Sequence, residues 1–365
     1  MARSALWHSE RGAPPPKRVI LADDTLNADR AYRLACEGTA MLWRGDFQNA
    51  KQLLQAIARR VDHKPRKLSP DPRENFNWHR QAQSQRARTL SMLLLSLEPS
   101  YQLNHKRAPD VRQACEEAYG PQGQPLVISL RELLGVIGAH EWRKQGVDIP
   151  ALEAKIYPHY GVFSPVRGEY LDLVAQVPLP SSTLALDIGT GTGVLAAILA
   201  KRGIKQVVAT ELDPRALACA QENIARLRYT DRVKILETDL FPPGKAPLIV
   251  CNPPWLPARP SSTLEHAIYD PDSRMLFGFL HGLAGHLEPG GEGWLILSDL
   301  AEHLGLRTRE ELVQAIEKAG LKVIERIDTR PRHPKSMDKS DPLYQARMAE
   351  ITSLWRLGLK DQSSL

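Results

Sequence analysis

The sequence predicts an α/β fold, with a mostly parallel sheet in its C-terminal part and a helical domain before it. After Pro165, short aliphatic runs alternate with helical segments, which is typical of a parallel sheet with crossover helices. Between Leu26 and Val61, apolar residues recur at three- and four-residue steps, which favours helices. The length of 365 residues favours two domains. We therefore predict a disordered basic tail over residues 1–20, a helical domain over 21–150 and an α/β domain over 151–365.

Seven strands and four helices are predicted in the C-terminal part. The strands are Leu184–Ile188, Gln206–Glu211, Val233–Glu237, Leu248–Cys251, Gly293–Ser298, Leu321–Ile327 and Ala349–Leu357. The helices cover residues 193–202, 214–227, 274–287 and 307–319. Each strand run is short and rich in aliphatic residues, as expected of strands buried on both faces.

Helices are predicted for the N-terminal part as well. Arg44-Gly45-Asp46 suggests a turn between two antiparallel helices, and a further helix is expected over Asn77–Leu97. Another is expected over Ser129–Lys144, where Ser129 and Glu132 have the spacing of a capping box.

Composition excludes several classes of protein. No apolar run approaches the roughly 18 to 20 residues that cross a bilayer, and residues 1–20 lack the apolar stretch of a signal peptide. The four cysteines, Cys36, Cys115, Cys219 and Cys251, form no CxxC pair, so neither a metal site nor a redox pair is expected. A reduced, cytoplasmic protein without membrane contact fits these features best.

The positive charge is concentrated in the N-terminal part. Residues 1–150 contain 23 Lys and Arg against 16 Asp and Glu, a net charge of +7, whereas the whole chain carries +6. A domain that approaches phosphates shows such asymmetry, and so does a basic face kept for solubility.

A glycine-rich turn follows the first strand of the C-terminal part. Asp187 stands two positions before Gly189, and Gly191 and Gly193 complete a G-x-G-x-G run. Glycines let the backbone approach a ligand closely. The spacing differs from the G-x-G-x-x-G that favours a pyrophosphate, and the acidic Asp187 would welcome a cationic amino acid group.

Acidic residues also end the next two strands. Glu211 closes the second strand, where a carboxylate can accept both hydroxyls of a ribose. Thr238-Asp239-Leu240-Phe241 closes the third strand with a polar group and an aromatic ring suited to adenine. In this order, at successive strand ends, the residues predict a cofactor site.

These motifs resemble the class I S-adenosylmethionine-dependent methyltransferases over about residues 156–357. The resemblance implies a Rossmann-like seven-stranded methyltransferase sheet whose last strand is antiparallel, and S-adenosylmethionine as cofactor. Asp187 and the glycine turn would hold its methionine end, Glu211 the ribose and Asp239 the adenine edge. The implied cofactor contacts are Phe163, Pro165, Asp187, Gly189, Thr190, Gly191, Gly193, Glu211, Leu212, Asp239, Leu240 and Asn252.

The fourth strand leads into Asn252-Pro253-Pro254-Trp255. A conjugated NH2 group is a poor nucleophile, because its lone pair is delocalised. The Asn252 oxygen and the Pro253 carbonyl can accept its two hydrogens, direct the lone pair and stabilise the developing positive charge. Prolines fix the backbone, and Trp255 offers a face for a planar group. We predict these four residues as the catalytic group.

The same run resembles the N/D-P-P-aromatic motif of amino-methyltransferases, which act on base amino groups or on glutamine N5. Tyr160-Gly161-Val162-Phe163-Ser164-Pro165 is similar to the segment that covers the methionine end in these enzymes. The layout of Asp270–Phe277 and His286–Gly291 resembles the glutamine-methylating HemK/PrmC branch, in which Tyr is common at the position of Trp255.

Three functions remain open on the sequence. The surplus of N-terminal cations, including Arg59-Arg60 and Lys64-Pro65-Arg66-Lys67, favours a nucleic acid acceptor, RNA before DNA and adenine N6 before other amino groups. A glutamine in a translation-related protein is the alternative, with the helical domain as the substrate-recognition domain in either case. A module that binds the cofactor or RNA without catalysis is the third. A loop from Arg330 to Lys335 either borders the acceptor cleft or is a solvated surface loop.

Overall fold

The computed structural model describes residues 5–63, 69–165, 168–260, 265, 267–331, 338–339 and 341–360. The chain divides into two compact units. The first comprises residues 1–68 and 77–144, and the second comprises residues 69–76 and 145–365. Among the described residues, no helix is long and apolar enough to cross a membrane.

The first unit is built on a five-stranded sheet in the order β1-β5-β4-β3-β2. Its strands are β1 Leu6–Trp7, β2 Arg18–Ala22, β3 Thr39–Trp43, β4 Leu93–Leu97 and β5 Leu126–Ser129. Its helices are α1 Ala28–Cys36, α2 Phe47–Asp62, α3 Pro72–Leu90, α4 Arg112–Tyr119 and α5 Leu130–Gln145, where α3 begins within the segment that belongs to the second unit.

The prediction of a purely helical N-terminal domain is therefore wrong. The runs that become β3 and β4 are five residues long and mostly buried. A run this short satisfies helical and strand periodicity equally well. Because the residues on either side have helical spacing, the pattern favoured a helix here too. The prediction of a disordered tail over residues 1–20 is also wrong for its described part, residues 5–20, because β1 pairs in parallel with β5 and β2 begins at Arg18.

The predicted start of α5 is half confirmed. The Glu132 backbone N–H donates to Ser129 Oγ at 3.2 Å, as an N-cap requires. The Glu132 carboxylate does not complete a capping box, because it accepts from the Glu10 backbone N–H and the Tyr119 hydroxyl.

The second unit contains a seven-stranded sheet and a small hairpin. The hairpin strands are β6 Val147–Ile149 and β7 Ala154–Ile156, and the sheet strands are β8 Leu184–Ile188, β9 Gln206–Glu211, β10 Val233–Glu237, β11 Ala246–Cys251, β12 Leu287–Ser298, β13 Leu321–Thr329 and β14 Thr352–Leu359. The helices are α6 Glu169–Gln176, α7 Val194–Lys201, α8 Pro214–Arg226, α9 Arg274–His286, α10 Leu300–His303, α11 Arg309–Lys318 and α12 Tyr344–Ala349.

The sheet order is β10-β9-β8-β11-β12-β14-β13, and β14 runs antiparallel to both neighbours. This confirms the predicted seven-stranded sheet with an antiparallel last strand. The sheet separates two apolar layers. Leu248 and Val250 face α6, α7 and α8, whereas Ile249 and Cys251 face α9 and α11. Strands that are covered on both faces consist of continuous aliphatic runs, so their positions could be predicted from the sequence.

Candidate active site

The strand ends meet at one edge of the sheet, where the strand order reverses between β8 and β11. Ile188 is the register partner of both Cys251 and Thr210, and Glu211 is the partner of Glu237. Four adjacent strands therefore end at the same edge of the sheet. Their ends carry the glycine turn, Glu211, the residues after β10 and Asn252. Open α/β sheets bind ligands at such a reversal, outside the carboxyl ends of their strands.

The glycine turn needs glycine for two physical reasons. Gly189 has a φ of +69°, and a Cβ added there would collide with the methyl group of Met275 from α9. Gly193 has a φ of +81° at the start of α7, where a Cβ would press on Ala220 of α8. Left-handed backbone and close helix packing both disfavour a side chain at these positions.

Asp187 is a fully buried carboxylate at this edge. Its Oδ2 accepts from the Thr190 hydroxyl at 2.6 Å and from the Ala196 backbone N–H at 3.0 Å. Its Oδ1 is buried and has no hydrogen-bond partner among the described residues. Burial raises the pKa of Asp187 to about 6, against the lowering effect of those two hydrogen bonds. Thr190, predicted as a cofactor contact, uses its hydroxyl to hold this carboxylate.

Glu211 is held by three backbone N–H groups. Its Oε2 accepts from Gly191 at 2.9 Å, and its Oε1 accepts from Leu212 at 2.8 Å and Asp213 at 3.0 Å. A carboxylate has about four acceptor positions, so one remains. Glu211 can accept one ribose hydroxyl in this conformation, and a second only if it releases a backbone N–H.

The residues after β10 only partly fit the predicted adenine site. Asp239 is exposed and forms an ion pair with Arg274 at 3.1 Å. Leu240 holds a left-handed φ of +59°. Phe241 stacks on Phe279 and His286 of α9, so the expectation that its ring faces adenine is wrong. The sequence could not show this, because the packing depends on Gly282, whose lack of a side chain makes room for the ring.

Asn252-Pro253-Pro254-Trp255 forms a corner closed by its own side chains. The Trp255 Nε1–H donates to Asn252 Oδ1 at 2.9 Å across the two prolines. The indole is half-buried and packs against the apolar layers on both faces of the sheet. This bond uses one acceptor position of Asn252 Oδ1 and helps to set the orientation of the amide.

The segment with Phe163 and Pro165 is anchored on α8. The Tyr157 backbone N–H donates to Asn223 Oδ1 at 2.7 Å, and His159 lies 2.6 Å from Glu222. Val162 packs on Ala216 and Cys219 of the same helix. Two further buried oxygens without a partner among the described residues follow, Ser164 Oγ and Glu169 Oε1.

Glu169 and Tyr170 were not predicted as site residues. Tyr170 is almost fully buried, and its side chain hydrogen-bonds with that of Asn252. Burial raises the pKa of Tyr170, and the charges of Asp187 and Glu169 raise it further. The only sequence signal was position, since both residues follow the Phe163–Pro165 segment by a few residues.

Several predicted cations lie outside the described residues. These are Lys64, Arg66, Lys67, Arg332, His333 and Lys335. Among the described N-terminal cations, Arg60 pairs with Asp29 at 2.8 Å and Arg86 pairs with Asp62 at 2.7 Å. Such pairs hold cations in place without changing the surplus charge of +7 counted from the sequence.

Comparison with known proteins places the site in a family. Residues 153–320 match the methyltransferase small domain. The release factor glutamine methyltransferase of Cereibacter sphaeroides is 34% identical over 172 residues, which cover 43% of this chain and 60% of the relative. The tRNA1(Val) (adenine(37)-N6)-methyltransferase of Bacteroides thetaiotaomicron is 34% identical over 131 residues, which cover 33% of this chain and 54% of the relative.

A third relative is covered more fully. The tRNA1(Val) (adenine(37)-N6)-methyltransferase of Shewanella loihica is 30% identical over 176 residues, which cover 42% of this chain and 72% of the relative. The chain thus spans little more than half of the first two relatives and over two thirds of the third. All three relatives are named for methylation of a nitrogen. The chain belongs to the methyltransferase small domain family and is a class I S-adenosylmethionine-dependent N-methyltransferase.

Proposed function

We propose that this protein methylates an amino nitrogen of a nucleic acid base, with the N6 amino group of an adenine in RNA as the acceptor. The observation that carries methyl transfer to a nitrogen is the corner at Asn252, where an amide oxygen and a half-buried indole stand at the carboxyl end of β11. S-adenosylmethionine supplies an electrophilic methyl group.

The buried oxygens of the site fit the amino acid end of the cofactor. Asp187 Oδ1, Glu169 Oε1 and Ser164 Oγ are buried without a hydrogen-bond partner among the described residues. Buried polar atoms without partners are costly, so each calls for a donor. An ammonium group has three N–H donors and a positive charge, which suits two carboxylates and a hydroxyl. Glu211 would accept a ribose hydroxyl with its remaining acceptor position.

The acceptor amine would be held at the corner. Asn252 Oδ1 accepts one N–H and the Pro253 carbonyl the other, which orients the nitrogen lone pair towards the methyl group. As positive charge develops on the nitrogen, these two oxygens stabilise it. Trp255 keeps the Asn252 amide in the orientation that presents its oxygen.

Two features support a base over a peptide amide as the acceptor. The indole of Trp255 gives a planar base a larger stacking surface than a single six-membered aromatic ring would give at this position. The surplus charge of +7 in residues 1–150 favours contacts with phosphates. The relatives from Bacteroides and Shewanella are named for adenine N6 in tRNA, which agrees with this choice.

A glutamine side chain is the second candidate. The relative from Cereibacter is named a release factor glutamine methyltransferase, and its identity to this chain equals that of the Bacteroides relative. A primary amide offers the same two hydrogens to Asn252 and Pro253, so the corner alone does not separate the two acceptors.

Incubation with radiolabelled S-adenosylmethionine and a cell extract separates the candidates. We expect label in macromolecules that RNase releases and that protease and DNase do not. The Asn252→Ala variant in parallel shows which label depends on this site. Label released only by protease would overturn the proposal in favour of glutamine.

The hydrogen bond from Trp255 to Asn252 gives a first prediction. Trp255→Phe keeps a ring face but removes the N–H donor, so the Asn252 amide loses one restraint on its orientation. One neutral hydrogen bond contributes about 0.5–1.5 kcal/mol, so we expect kcat to fall about 2- to 10-fold. Trp255→Ala, which also removes the stacking face, should raise the acceptor KM as well. An unchanged kcat in the phenylalanine variant would show that the bond does not orient Asn252.

A further inference from the structure

Tyr170 is a buried tyrosine in the first turn of α6. It is 3% exposed and belongs to the apolar layer that contains Leu248 and Val250 of β11. The indole of Trp255 packs against the same layer. Tyr170 therefore approaches the corner at Asn252 from the α6 side of the sheet, where its side chain hydrogen-bonds with the Asn252 amide.

The hydroxyl of Tyr170 does more than fill space. A phenylalanine would occupy the same apolar layer without a buried polar atom, and a buried hydroxyl is costly unless it is hydrogen-bonded. Burial and the charges of Asp187 and Glu169 raise the pKa of this phenol, so it stays protonated at neutral pH. The bond to Asn252 is therefore the contribution that a phenylalanine could not make.

The direction of this bond follows from the other partner of the amide. The indole N–H of Trp255 can only donate, so the atom of Asn252 that faces it is the oxygen. The NH2 group of the same amide then remains for Tyr170, whose hydroxyl oxygen can accept. Taken alone, the bond lowers the pKa of Tyr170, as expected when an N–H donates to the phenol oxygen and stabilises the phenolate. Trp255 thus donates to Asn252, and Asn252 donates to Tyr170.

These two bonds decide which end of the Asn252 amide meets the acceptor nitrogen. The oxygen and the NH2 group of an asparagine are similar in size, so packing alone does not distinguish the two orientations. An amide turned end for end would present N–H groups to an amine that itself donates, and would set its NH2 group against the indole N–H. A donor on one side and an acceptor on the other disfavour that orientation, so the oxygen is in place before the acceptor binds.

We propose that Tyr170 is a positioning residue for methyl transfer, which holds the NH2 group of Asn252 so that the amide oxygen faces the acceptor nitrogen. This inference rests on the part of the proposed function that places the acceptor nitrogen at Asn252. It applies to a base amino group and to a glutamine amide alike, since each offers N–H groups to the same oxygen. Tyr170 acts through Asn252 and needs no contact with the acceptor itself.

The test removes the hydroxyl with Tyr170→Phe, alone and together with Asn252→Ala. Tyr101→Phe is the matched control, because Tyr101 of the first unit is also 3% exposed and its hydroxyl donates to the Gly120 carbonyl at 2.6 Å. Initial rates are measured with radiolabelled S-adenosylmethionine at rising concentrations of the RNA fraction and of the protein fraction of a cell extract. The Tm and the cofactor affinity are measured for every variant.

We expect Tyr170→Phe to lower kcat about 2- to 10-fold, the effect of one neutral hydrogen bond, with little change in acceptor KM or cofactor affinity. In the Asn252→Ala background, the same replacement should change kcat by less than about twofold, because the amide that it orients is gone. Tyr101→Phe should lower the Tm about as much as Tyr170→Phe does and keep the kcat of the wild type.

Failure of this inference can be told from failure of the proposed function. If Asn252→Ala loses activity but Tyr170→Phe keeps its kcat, or lowers kcat equally with and without Asn252, the role of Tyr170 is wrong and the function stands. If Asn252→Ala keeps full activity, the acceptor nitrogen does not lie at Asn252 and the role of Tyr170 fails as well. Label in the protein fraction alone would overturn the nucleic acid acceptor, and the same comparison of kcat would then decide the role of Tyr170 on that fraction.

Discussion

Replacement of Asn252 by alanine is expected to lower kcat about 10²- to 10³-fold, the loss that follows removal of one hydrogen-bond partner of a transition state. In the proposed mechanism, Asn252 Oδ1 accepts a hydrogen bond from the substrate nitrogen, and this bond becomes stronger as that nitrogen acquires positive charge. Binding of S-adenosylmethionine should change much less than kcat, because the proposed contacts of its ammonium group are on Asp187, Glu169 and Ser164, whose buried oxygens have no partner among the described residues.

Asn252→Asp is the matched variant for this prediction. It keeps an oxygen that can accept from Trp255 Nε1 and from the acceptor amine, and the motif of the family admits Asp at this position. We expect it to retain most of the activity that the alanine variant loses. Steady-state kinetics over acceptor concentration, with cofactor affinity measured separately, distinguishes loss of catalysis from loss of binding.

A fold defect must be separated from a catalytic one in these variants. Alanine at position 252 leaves the half-buried Trp255 N–H without its partner, which costs about 1 kcal/mol of stability. A loss of that size shifts the Tm slightly and leaves the protein folded at assay temperature. If the alanine variant kept the kcat of the wild type, Asn252 would have no part in the chemistry.

The C-terminal fold was predictable because strands that are buried on both faces consist almost entirely of aliphatic residues, and such runs are easy to recognise in a sequence. The strands Leu184–Ile188, Gln206–Glu211 and Val233–Glu237 have the predicted bounds. The N-terminal sheet was missed because Thr39–Trp43 and Leu93–Leu97 are short apolar runs next to helices. A strand of this length is recognised by its hydrogen-bonded neighbours, which no local pattern reveals.

The candidate site was predictable only where residues follow strand ends. Asp187, Glu211 and Asn252 lie at one edge because parallel strands place their carboxyl ends together. The Trp255–Asn252 bond, the burial of Tyr170 and the packing of Phe241 depend on side-chain directions in three dimensions. Those directions are set by residues distant in sequence, such as Gly282 beside Phe241.

Removing the charge of Asp187 is expected to raise the stability of the free protein and to weaken cofactor binding. Its pKa is about 6 in the folded protein against 3.8 for an ordinary aspartate, chiefly because it is fully buried. The folded state therefore binds more protons than the unfolded state between these pH values, and stability falls as pH rises from about 4 to 6. Above pH 6, burial of the charge costs about 3 kcal/mol.

Asp187→Asn should therefore raise the Tm of the free protein at pH 7. Asparagine keeps one oxygen for the Thr190 hydroxyl and the Ala196 N–H, and it has no charge to desolvate. The gain should shrink as pH falls to 5, because the wild-type carboxyl group then becomes protonated as well. A variant that is less stable than the wild type at both pH values would contradict this account.

The same replacement should weaken binding of S-adenosylmethionine at least about tenfold, since the cationic ammonium group loses a buried counter-charge. For the wild type, affinity should fall as pH drops below about 6, by roughly tenfold per pH unit, because only the ionised carboxylate attracts the ammonium group. Asp187→Asn should bind with an affinity that does not vary over this range. Calorimetric titration of both proteins at pH 5, 6 and 7 tests this, and a pH-dependent affinity in the variant would assign the titration to another group. We thus expect the buried charge of Asp187 to lower the stability of the free protein and to strengthen binding of the cofactor.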